Sequence, residues 1–229
     1  TFNDTIDGGQ TLTLVAGTGT TSIAGAIGAD TALTGLTITN GTANGTITLG
    51  GNIGDGSGAG VNGTTSIGNT NTVDLNFNGT LYSFDGGTTT ITAKSGDNID
   101  IGAGADTTFT TAADNITFAT ANIHLLNGSN LTVDTGATGG NITIGAIAGT
   151  SVETVTLDAG TGSLSVGVIG SGTEIGAVTL GSTDDGAITL NGAITTDGNV
   201  TITGPVSLAT GAISVTTTND NITFNDTID

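Results

Sequence analysis

The chain has no cysteine, methionine or tryptophan, a single proline, and one lysine or arginine set against 20 acidic residues. Each absence excludes something. Without cysteine there is no disulfide framework and no thiolate metal site. With Lys94 as the only Lys or Arg and a formal net charge of −19, the chain cannot neutralise a phosphate backbone, so nucleic acid is excluded as a partner. Anionic membrane surfaces are excluded by the same argument. No apolar run reaches transmembrane length, and no helical period of useful length occurs. The chain starts at Thr1 in mid-pattern, as a mature fragment or an excerpt would.

What is present is glycine (41 residues), much threonine and asparagine, and a 35% hydrophobic fraction rich in Ile, Leu, Val and Ala. Disordered chains lack regularly spaced β-branched residues; here those residues recur in a phrase. It reads apolar, Thr, apolar, any, small or turn-former, any, apolar, as in ITLGGNI (residues 47–53), ITLNGAI (188–194), VTITGPV (200–206) and ITFNDTI (222–228). Strand alternation puts the two flanking apolar side chains on one face and Thr on the other. Gly, Asn or Asp then turns the corner. In the second half, phrases begin at Val155, Val178, Val200 and Ile222, a near-constant spacing, with further strands at 164–166, 188–190 and 213–215. About three short strands per period of roughly 22 residues is the rhythm of a solenoid.

The heptapeptide TFNDTID opens the chain at residue 1 and returns at residue 223, so its copies lie 222 residues apart (223 − 1). The expected architecture is all-β, a parallel right-handed β-helix of about ten coils of roughly 22 residues each. Residues 1–229 form one unit of a tandem array, and residues 223–229 restart it. Residues 50–113 read as a less regular, insertion-like region. It opens with a glycine-dense loop or bulged coil (50–63) and continues into an aromatic patch of Phe77, Tyr82 and Phe84.

Two longer segments nearly spell each other: LTLVAGTGTTSIAGAIG (12–28) and VTLDAGTGSLSVGVIG (155–170). With the style of residues 186–208 and 221–229, they make residues 1–49 and 140–229 resemble the long repeats of filamentous-haemagglutinin-like bacterial surface proteins. That resemblance implies a right-handed β-helix, export to the cell surface, and a role in adhesion or as an extracellular stalk. It implies no catalytic residues.

Candidate sites are few. Asp184 and Asp185 form an adjacent carboxylate pair, but neighbours on a strand point to opposite faces, and their Gly-Ser-Thr-Asp-Asp-Gly setting reads as a solvated corner. His124 alternates with Ile123 and Leu125, so it should face solvent, and a lone His is a poor transition-metal site. Lys94 reads as a surface charge. Residues 58–63 match G-x-G-x-x-G but lack the helix that would receive a pyrophosphate. Asp97, Asp100 and Asp106 are the calcium candidates, beside a GAGAD stretch that resembles part of a calcium-binding nonapeptide. Twelve Asn-x-Ser/Thr sequons occur; a corner Asn before apolar-Thr generates such a motif automatically, and in an exported protein some could carry glycan.

The functional expectation is a non-enzymatic, secreted or cell-surface structural module: a filament, stalk or adhesin segment. Its partners are neighbouring copies end to end and host or cell-surface glycans. It has no cofactor, calcium being the one candidate ion. The alternatives are a polysaccharide-binding or -cleaving β-helix, marked by a groove with clustered carboxylates and aromatics around Phe77, Tyr82 and Phe84, and a calcium-stabilised β-sandwich stalk.

Overall fold

In the computed structural model, described for residues 1–42, 44–102, 104–126, 128–150, 152–182, 186–209 and 211–229, every strand pairing is parallel. The 23 strands wind into a β-helix of about nine turns, and the described residues contain no helix. Parallel pairing with one coil per crossover removes the antiparallel sandwich from consideration.

The coil has three faces. The first stacks Thr11–Ala16, Gly35–Asn40, Thr65–Ile67, Thr89–Thr92 and the start of Ile116–Leu125. It continues through Ile142–Ala148, Leu164–Val166, Ile188–Leu190 and Val206–Leu208. The second runs from Thr20–Ile23 through Gly45–Leu49, Thr72–Phe77, Asn98–Ile101 and the end of Ile116–Leu125. From there it passes through Ile147, Ile169 and Ile194–Thr196 to Val215–Thr217. The third stacks Ile6, Ile27, Ile53 and Leu81–Asp85, then Thr107–Thr111, Leu131–Asp134 and Thr154–Asp158, and last Ala177–Gly181, Val200–Thr203 and Ile222–Phe224.

Alternation within each rung does what the apolar-Thr-apolar phrase requires. Ile188 and Leu190 point inward while Thr189 faces out, and the same holds for Val200, Ile202 and Thr201. The inward residues form one continuous core from Ile23 to Val206, with Ile, Leu and Val at or near zero exposure. Burying each such side chain contributes roughly 1.5–3 kcal/mol, repeated at every rung.

The near-constant spacing holds on the third face, where Val155, Val178, Val200 and Ile222 stack one on the next. Earlier coils on that face are longer: Ile53 bridges Tyr82, and Leu81 pairs with Thr108. The stack therefore has about nine turns where an even spacing of roughly 22 residues implies about ten. Residues 50–113 carry rungs of all three faces in this same stack, and their extra length goes into corners.

The aromatic patch of that region is internal. Phe77, Tyr82 and Phe84 are buried, and Phe77, Tyr82, Phe109 and Phe118 form a chain of ring contacts with centroids 4.8–5.2 Å apart. These rings occupy inward rung positions and pack on one another inside the core. The Tyr82 hydroxyl accepts a hydrogen bond from the Gly79 amide at 2.7 Å and donates to the Leu49 carbonyl at 3.3 Å. Burial raises its pKa well above the usual tyrosine value.

Corners are closed by two devices. Where backbones of adjacent coils touch, glycine is required: a Cβ on Gly140 would stand 1.9 Å from the Asp114 carbonyl oxygen. Corner asparagines clip one coil to the next. The Asn115 side-chain oxygen accepts from the Asn141 amide, Asn141 from Ser163, and Asn199 from Asn221, at 2.8–3.0 Å. Asn115, Asn141 and Asn199 each begin a sequon, so the Asn that generates the motif has a structural task between coils.

Candidate functional surfaces

The three faces differ in charge. On the first, outward positions form an unbroken hydroxyl ladder: Thr13, Thr37, Ser66, Thr90, Thr117, Thr143, Ser165, Thr189 and Ser207 stack in register. No strand of this face contributes a charged residue to it, although the chain carries −19. The acids lie elsewhere: Asp74 and Asp100 on the second face, Asp85, Asp134 and Asp158 on the third, and most others at corners.

A shallow groove of about 430 Å³ runs beside the ladder, lined by Thr117, Thr120, Thr143, Ser165 and Asn191 around Gly145 and Gly167. Its floor exists because those two positions lack side chains. Gly167 must be glycine, since a Cβ would meet the Gly145 carbonyl oxygen at 1.5 Å, whereas a Cβ on Gly145 has only the Ala121 carbonyl oxygen within 4 Å, at 3.9 Å.

The calcium candidates are each engaged separately. Asp97 lies 3.9 Å from Lys94 across a turn. Asp100 is 3.2 Å from His124 Nδ1 on the next coil, the two being outward partners in register. Asp106 accepts from the Asn130 side-chain amide at 2.9 Å. Among the described residues no three His, Asp or Glu side chains gather into a metal-holding group. Lys94 also donates to Asn44 at 3.3 Å and is half-exposed. Asp184 and Asp185 lie outside the described residues.

Residues 58–63 contain the short strand Val61–Asn62, which pairs with Phe84 and Asp85. The G-x-G-x-x-G match is thus a corner and a rung. Cavities of about 290 and 240 Å³ flank the glycine-dense loop before it. Asp55, which lines the smaller of the two, accepts from the Ser57 hydroxyl and amide at 2.7 and 2.8 Å. Those bonds, the hydroxyl's first, hold its carboxyl below the usual aspartate value.

One buried carboxylate was not singled out from sequence. Glu153 is fully enclosed and accepts from the Gly128 and Thr150 amides, at 3.3 and 3.0 Å, and from the Thr150 hydroxyl. It braces the corner before Thr154–Asp158. The sequence signal for it is slight: a Glu between two β-branched residues at the foot of a strand.

These surfaces sit on a parallel β-helix. No protein-family model, curated protein or solved structure matches the chain.

Proposed function

We propose that this chain is a structural module of a longer β-helical rod, serving as a segment of an extracellular filament, stalk or adhesin. One observation carries the reading. The second copy of the opening heptapeptide is built into the stack as regular rungs, with Phe224 on Ile202 and Ile228 on Val206. A sequence that opens the unit therefore also serves as its next coil. Phe2, Ile222 and Ile228 are 41%, 41% and 51% exposed at the two ends, where a further coil would cover them and pair the open strand edges. Geometry supports a mechanical role: each coil is hydrogen-bonded to the coils above and below, a connection suited to carrying load along the axis. The test is the length of chains holding one, two and three units, by small-angle scattering or electron microscopy. A rod that grows by about 45 Å per unit, nine turns and a fraction at roughly 4.8 Å per coil, supports the reading. Flexible beads defeat it.

A second reading, glycan binding, is favoured by the groove on the uncharged face. The aromatic site expected for sugar stacking is interior, so recognition would rest on Thr117, Thr143, Ser165 and Asn191. Those groups suit a neutral polysaccharide, which meets no like charge there. Binding of neutral glycans that is abolished by Gly145→Tyr, with the fold intact, supports this reading. Unaltered binding removes the groove from it.

A further inference from the structure

The two copies of TFNDTID stand on different faces. In residues 1–7, Phe2 bridges Ile23 on the second face and Ile6 bridges Ile27 on the third. In residues 223–229, Phe224 pairs with Ile202 on the third face and Ile228 bridges Val206 on the first. The same heptapeptide therefore reappears nine turns and one face further on. The longer pair of similar segments is displaced as well. Residues 12–28 place their rungs on the first, second and third faces, through Leu12–Leu14, Ile23 and Ile27. Residues 155–170 place theirs on the third, first and second, through Val155–Leu157, Leu164–Val166 and Ile169.

The physical reason lies in what a rung requires. Each face asks only for inward apolar side chains at alternate positions and a turn-former at the corner. Coil length is not held constant. On the first face Ile188 stacks on Val206, a coil shorter than the usual spacing, whereas Leu36 stacks on Thr65, a coil well beyond it. With variable corners and equivalent demands, a phrase can stand on any face.

Resting on the tandem-rod reading above, we propose that a second copy of this chain stacks on the last coil turned by one face relative to the copy beneath it. The second copy's Thr11–Ala16 strand then lies over Val215–Thr217 on the second face, instead of over Val206–Leu208 on the first. Equivalent surfaces return to the same side of the rod only at the fourth unit. The uncharged hydroxyl ladder therefore winds around a long rod, and no single side of it is uncharged throughout.

The test is a two-unit chain, residues 1–229 followed directly by residues 8–229, so that one TFNDTID forms the junction. The sequence has no cysteine, so paired cysteine substitutions carry spin labels without background. One variant pairs Thr216→Cys in the first unit with Thr13→Cys in the second; the other pairs Ser207→Cys with the same second-unit site. The expected result is a short distance, that of neighbouring coils, for the Thr216 pair and a cross-body distance for the Ser207 pair. The reverse pattern overturns the rotation while leaving the tandem rod standing. Two long distances in a chain whose length is not a continuous rod overturn the rod reading, and the rotation with it. An unlabelled three-unit chain imaged by electron microscopy reads the same rotation without substitutions. One face per unit supports the proposal, and aligned units sink it.

Discussion

Tyr82 lies flat over Phe109 on the next coil, with ring centroids 4.9 Å apart and planes 21° from parallel. Phe77 meets both rings edge-on, and Phe118 meets Phe109 in the same way. Phe109 thus touches three other aromatics inside the core. Phe109→Ala should cost about 3–5 kcal/mol, read as a lower denaturant midpoint. A loss below about 1 kcal/mol would mean that the interior there is not closely packed.

Tyr82 should make stability fall in alkali. Its folded pKa is raised by burial above the ordinary value near 10. Stability from this group is therefore complete below about pH 10 and is lost as pH rises, because the unfolded chain releases a proton that the native chain keeps. The slope is about 1.4 kcal/mol per pH unit above that point. As this is the only tyrosine, tyrosinate absorbance reports it alone. Native protein showing tyrosinate at the pH where the unfolded chain does would refute the burial of this hydroxyl. Tyr82→Phe should flatten the alkaline slope and cost about 1–3 kcal/mol for the stranded Gly79 amide.

Two glycines only five positions apart should respond unequally to the same substitution. Gly140→Ala drives a Cβ to 1.9 Å from the Asp114 carbonyl oxygen, and the two coils must part, at a cost of about 1–3 kcal/mol. Gly145→Ala meets nothing closer than 3.9 Å and should stay within about 0.5 kcal/mol. Thermal melts of the two variants side by side decide it, and equal effects would contradict the close approach of the coils at Gly140.

His124→Ala and Lys94→Ala should leave stability within about 0.5 kcal/mol. Each belongs to a surface pair, His124 with Asp100 and Lys94 with Asp97, and solvent screens such pairs. A drop of several degrees in Tm for either variant would show that the pair carries more of the structure than an exposed contact does.

Strand identity was legible because a rung is a local object. Val155, Val178, Val200 and Ile222 begin phrases at near-constant spacing, and they stack one on another as that spacing requires. The outward placement of His124 also followed from alternation with Ile123 and Leu125. The aromatic patch was less readable. Phe77 and Tyr82 break the usual phrase, which suggests a surface peculiarity, yet both are inside. An inward rung position takes a ring as readily as an Ile or Leu, and there the rings pack on one another. The carboxylates were least legible: Asp97, Asp100 and Asp106 are near in sequence, but corners and strand alternation send each to a different partner.

The sequence alone determined that the chain is a stack of short strands with glycine and asparagine at the corners, since periodicity and turn chemistry act over a few residues. Which face each phrase occupies was decided only by the tertiary structure. TFNDTID supplies Phe2 to the second face and Phe224 to the third, and no residue within the heptapeptide distinguishes them. A face is assigned by the accumulated length of all the preceding coils, and that sum becomes definite only when every coil hydrogen-bonds to the one before it.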